Sequence, residues 1–125
     1  MNALTNDQAS KLYEKYLSGW TAIPDDQRTK IATDLIAENV RYSTPRHASA
    51  GRATIIEDMA AFQKKYPKGH FDVGDVSAHD DVALLTWVMT LADGKILARG
   101  HDHIRVSPEG KIVEVVTYAP SVAKP

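Results

Sequence analysis

The stretch Arg99–Val106, RGHDHIRV, holds an aspartate between two histidines in a run that otherwise reads as a β-strand. Side chains alternate between faces along a strand. Ala98, Gly100, Asp102, Ile104 and Val106 therefore share one face, and Leu97, Arg99, His101, His103 and Arg105 share the other. The first face is apolar, so Asp102 is expected to point inward, unless a β-bulge reverses the facing. A carboxylate in a dry pocket is pushed up in pKa by desolvation. It can then give or take a proton near neutral pH. The plainer reading is an aspartate satisfied by a backbone or tyrosine hydrogen bond, with no chemistry. His101 and His103 have a metal-ligand spacing on one strand face. The remaining histidines, His47, His70 and His79, fall in other elements and supply no obvious third ligand. No metal and no cofactor is expected, and the pair reads as a solvated or dimer-facing strand face.

Aromatic residues supply the second group of candidates. Tyr13, Tyr16 and Trp20 recur on one helical face, and Tyr42 lies on a short strand. Buried tyrosines need partners for their hydroxyls, so these are either ligand contacts or ordinary core. Trp87 floors a pocket or fills a dimer interface. Tyr118 closes the last strand and is counted among the ligand contacts. His47, in the loop PRHASAG, is a candidate base or ligand contact, or a plain loop histidine. There is no glycine-rich phosphate loop and no nucleophile elbow.

These residues must be held by one compact unit. The chain has 125 residues, 43% hydrophobic and 25% charged, enough for a single domain over 1–125 with its own core. A net charge of -1 without a basic stripe argues against nucleic acid. With no cysteine there is no disulfide framework and no thiolate chemistry. The first twenty residues lack an apolar signal core. The longest apolar run, VALLTWVMTLA, is too short to span a bilayer. A soluble, cytoplasmic domain with no membrane partner is expected.

The first half reads as helical. TNDQASKLYEKYLSGW carries a capping box, Thr5 with Gln8, ahead of an apolar face at i, i+3, i+4 and i+7. PDDQRTKIATDLIAEN is a second helix, with Pro24 at its first position and Ile31, Leu35 and Ile36 inward. VRYST is a short strand ended by Pro45, and RHASAG a loop. RATIIEDMAAFQKKY is a third helix, with Ile55, Ile56, Met59, Ala60 and Phe62 inward. From His70 the period becomes two. Four strands follow, joined by hairpin signals such as ADGK and PEGK. The expected fold is α+β: a cone of curved, mostly antiparallel sheet wrapped around N-terminal helices, with a pocket inside.

The order of elements, with LYEKYLSGW, VRYSTPRHASAGRATI and GHDHIRVSPEGKIVEVVTY, resembles the nuclear transport factor two-like superfamily and within it the SnoaL-like group. The resemblance spans about the whole chain. It implies a cone-shaped roll, and it covers ketosteroid isomerases, polyketide cyclases, dehydratases and non-catalytic binders alike. In the cyclases an inward aspartate on a late strand is the acid/base, which implies that role for Asp102. In the isomerases a helix-one tyrosine helps form the oxyanion hole, which implies Tyr13 or Tyr16. The isomerases' catalytic aspartate, just after the first strand, has no counterpart here: the segment offers His47 instead. The Arg–Asp pair of limonene epoxide hydrolase is not matched, since Arg99 and Asp102 fall on opposite faces. The expected function is binding of a small apolar or polycyclic molecule in an internal pocket, with cofactor-free acid/base catalysis of isomerase, cyclase or dehydratase type; the alternative is a non-catalytic ligand-binding or dimerisation module. The strand VALLTWVMTLA is apolar on both faces, which points to a homodimer through the outer sheet face.

Overall fold

The structure is a computed structural model that describes residues 3–120. Helix α1 (Asn6–Ser18) starts as its sequence requires: Thr5 accepts from the Gln8 amide, and the Gln8 side chain returns to the Thr5 amide. Its inward face buries Ala9, Tyr13, Tyr16 and Leu17. Helix α2 (Asp25–Leu35) and strand β1 (Ile36–Thr44) follow, then β2 (His47–Ala50), α3 (Arg52–Lys65), β3 (His70–His79), β4 (Val82–Thr90), β5 (Ile96–Val106) and β6 (Ile112–Tyr118).

The six strands form one sheet in the order β2-β1-β6-β5-β4-β3. Strands β3 to β6 make the antiparallel meander read from the hairpin signals. β1 lies parallel to β6 and is hairpinned to β2. Every strand pair contains a register shift. Bulges bend a strand and increase its twist, and this sheet is curved and unclosed, with the helices against its concave side. The core gathers Tyr13, Tyr16, Ile55, Met59, Leu85 and Ile104 with their neighbours.

The first half departs from the sequence reading in three places. Helix α2 ends at Leu35 rather than Asn39, because Ile36 turns extended (φ -117°, ψ 130°) and pairs with Ile112 of β6. The β-branched residue is recruited to a ladder that no local signal shows. Pro24 is the cap residue, not the first helical one, and the helix buries Arg28 and Ala32 while Ile31 and Leu35 stay half-buried. The segment RHASAG is not a loop throughout: His47–Ala50 is an edge strand on β1.

Arg28 explains the lapse in the α2 face. Its guanidinium donates to the carbonyls of Gly19, Thr21 and Ile23 and pairs with Asp25. A planar five-donor group suits three carbonyls left open by a turn. It fastens the end of α1 to the start of α2, and its side chain is buried for that reason.

On β4, Ala83, Leu85 and Trp87 are buried inward, and Leu84 is exposed on the outer face. Trp87 pairs in register with Gly100 of β5. A Cβ at Gly100 would fall 2.1 Å from the Trp87 ring. The missing side chain therefore lets the indole lie across β5. Among the described residues, no helix is long and apolar enough to cross a membrane.

Candidate functional site

Between α1, α3 and the concave face of the sheet lies a cavity of about 660 Å³. Its wall is mostly apolar, from Leu17, Ala61, Phe62, Phe71, Met89 and Ala98. An aromatic cluster packs along it: Trp20 lies edge-on to Phe62 and Phe71, and Phe71 edge-on to Trp87. Tyr13, Tyr16 and Trp20 all line the cavity: Tyr13 and Tyr16 stack on one face of α1 with ring centroids 5.8 Å apart, and Trp20, just past its end, meets Tyr16 edge-on at 6.3 Å. The i, i+3, i+7 spacing that marks the helix also places them on the cavity side.

Asp102 faces inward with 4% of its surface exposed, and it lines the cavity. Tyr13 Oη donates to its Oδ2 at 2.7 Å. Oδ1 is buried and has no hydrogen-bond partner among the described residues. Burial pushes the carboxyl up to about 6, offset in part by Tyr13, then Thr117, Trp87 and the field of His101. Burial also drives Tyr13 and Tyr16 well above the usual phenol range, with the Asp102 charge adding to both. These tyrosines are hydrogen-bond donors at any ordinary pH.

A second carboxylate borders the same cavity. Asp58 of α3 accepts from Tyr42 Oη on Oδ2 at 2.7 Å, and its Oδ1 lies 3.2 Å from His47 Nε2. Burial, Tyr16 and the Asp58 hydrogen bond together raise Tyr42 far above the phenol range. Asp58 was not among the residues singled out from sequence. Its signal lies in helical spacing: Ile55, Asp58, Met59, Phe62 and Lys65 form an i, i+3, i+4, i+7, i+10 series, and the expected face of Ile55, Ile56, Met59, Ala60 and Phe62 shares Ile55, Met59 and Phe62 with it but leaves out Asp58.

The other candidates separate cleanly. Tyr42 and Trp87 line the cavity, so Trp87 is floor rather than outer face. His47 is outside the lining and stands behind Asp58, with its ring 6.0 Å from that of Tyr42. Tyr118 is corrected: it is 56% exposed on the outer face, paired with His101, while its neighbour Thr117 lines the cavity. The sequence VVTYA is apolar on both alternating sets, which hid the facing. Leu97, expected outside, borders the cavity, because the shift from Met89↔Ala98 to Thr90↔Ile96 makes it the extra residue of a bulge. His103 lies 3.6 Å from Glu114, and no group of metal-ligating side chains is found among the described residues.

The model of the SnoaL-like domain family matches residues 14–115. No curated protein matches the chain. Among solved structures it is similar to a candidate isomerase of the SnoaL-like family from Agrobacterium tumefaciens C58, with 27% identity, a TM-score of 0.77, and coverage of 86% of this chain and 92% of that one. It is similar in fold to a candidate SnoaL-like polyketide cyclase from Jannaschia sp. CCS1 (14% identity, TM-score 0.74, coverage 94% and 89%). It is likewise similar to a nuclear transport factor two-like protein of unknown function from Exiguobacterium sp. 255-15 (15% identity, TM-score 0.69, coverage 90% and 99%).

Proposed function

The chain belongs to the SnoaL-like domain family and has the nuclear transport factor two-like fold, and from that premise we propose that it binds a small apolar or polycyclic molecule in its cavity and moves a proton on it without a cofactor, in an isomerase, cyclase or dehydratase type of reaction. The observation that carries this reading is the state of Asp102: buried, pushed up to about 6, held on one oxygen by Tyr13 and unpartnered on the other. A group with that pKa is divided between acid and base near neutrality, where general acid–base catalysis is most effective. Tyr13 fixes the carboxyl and leaves Oδ1 to the ligand. The apolar wall excludes water, so the carboxylate is poorly solvated and correspondingly basic.

Two further parts of the reading concern the whole chain. Two copies pair through the outer sheet face, where Leu84 is 47% exposed on β4, an interior strand, and Tyr118 lies exposed on β6. The absence of cysteine fits a cytoplasmic setting.

The test uses 5-nitrobenzisoxazole, a flat apolar probe of carboxylate bases. A base takes its C3 proton, the C–H electron pair completes a nitrile, the N–O bond breaks, and a coloured phenolate leaves. The expected kcat/KM rises with pH to a plateau, with a midpoint near 6. Asp102→Asn should lower it by a hundredfold or more, in the range of about 10²–10⁴ for a general base. A wild-type protein that binds the probe but is no faster than Asp102→Asn would leave the non-catalytic binding module as the surviving reading.

A further inference from the structure

We propose that Asp58 is a second proton-handling carboxylate of the cavity, with His47 as the residue that positions it and joins it to water. This rests on the acid–base reading of the cavity and extends it to a second place on the ligand. Asp58 lines the cavity from α3, and Asp102 lines it from β5. Each accepts a 2.7 Å hydrogen bond from a tyrosine: Tyr42 on Asp58, Tyr13 on Asp102. Tyr16 lines the same cavity, and the charges of both Asp102 and Asp58 act on it. The cavity thus carries two carboxylate–tyrosine pairs, one from β5 and one from α3, with a third phenol in its wall.

The two pairs differ in their access to water. Asp102 is 4% exposed, and one of its oxygens is buried without a partner. The Asp58 side chain is 11% exposed, and its Oδ1 faces the Nε2 of His47, whose side chain is 31% exposed. A proton received by Asp58 therefore faces an imidazole nitrogen on a side chain that reaches solvent. Asp102 instead accepts from Tyr13, a phenol that is itself fully buried. It exchanges its proton with the ligand. Asp58, backed by His47, exchanges with the medium.

The experiment has two arms on the full chain. In the first, carboxyl carbons are followed by ¹³C NMR while 2-naphthol is added as the probe. Shifts at both Asp102 and Asp58 support the proposal. A shift at Asp102 alone overturns it and leaves the acid–base reading standing. No shift at either carboxyl overturns both. In the second arm, turnover of 5-nitrobenzisoxazole is compared in Asp102→Asn and in the double variant Asp102→Asn/Asp58→Asn. At least a tenfold further loss in the double variant is expected, and an unchanged rate overturns the role of Asp58. His47→Gln should lower kcat with KM unchanged, as a positioning residue would; a parallel change in both, or in neither, removes His47 from the scheme.

Discussion

Asp102 couples proton binding to stability, and the direction follows from its environment. The carboxyl has an ordinary value of 3.8 and stands at about 6 in the folded chain, raised by burial. Below pH 3.8 it is protonated in both states, and no charge is buried. Above about 6 the native state holds an ion in a dry site. The favourable contribution is therefore present in acid and lost as pH rises through 6, by about 3 kcal/mol. Asp102→Asn should be more stable than the wild type at pH 8, by up to about 3 kcal/mol, and the two should converge below pH 4. Urea melts at pH 4, 6 and 8 measure it, and a variant less stable at pH 8 would mean that the carboxylate is structurally required. The facing of this residue was legible because strand period two is strict and its neighbours Gly100, Ile104 and Val106 are small or apolar. Asp58 was not legible in the same way: a carboxylate on a helix reads as a solvated face, and nothing local shows that it borders a cavity.

At the level of elements, the helix that was read least well is held by the residue least expected inside. Arg28 fills the turn between α1 and α2, with hydrogen bonds to Gly19, Thr21 and Ile23. Arg28→Ala would leave those carbonyls short of donors and open a void beside Asp25. The expected loss is roughly 2–4 kcal/mol, within the range for breaking a buried polar network. Arg28→Lys should recover only part of it, since an ammonium cannot match the planar fork. Chemical denaturation of the three proteins checks the order, and an Arg28→Ala protein as stable as wild type would contradict it. Helix α1 and the order of the meander β3–β6 were readable, because capping, period and turn residues agree there, though the facings of Leu97 and Tyr118 were not. The first half of β1 was not, because its pairing is set by a distant partner, and β2 was not, because so short a strand leaves little pattern. Ile36 meets Ile112 across a separation that no window of sequence contains, and β2, which pairs with β1 through Tyr42 and Ala50, carries no alternating apolar pattern in HASA.

For the whole molecule, the remaining question is what covers the outer sheet face. The proposed homodimer would bury Leu84 and Tyr118. Light scattering at micromolar concentration should give twice the 13.7 kDa chain mass, and Leu84→Asp should shift it to the single mass while leaving the far-ultraviolet spectrum unchanged. A monomer mass for the unaltered chain would remove the dimer from the reading.

The place of β6 has a consequence for how the molecule is made. It is the last strand in sequence, yet it lies inside the sheet between β1 and β5. A growing chain on the ribosome can fold its helices early, and it can zip β3, β4 and β5 as hairpins in turn. β1 and β2, already synthesised, have no meander to join until Ile112–Tyr118 emerges. Until that moment the nascent chain holds two open sheet edges and an uncovered apolar surface, and such species are prone to aggregate. Emergence of Ile112–Tyr118 is thus the event that joins the two halves of the sheet.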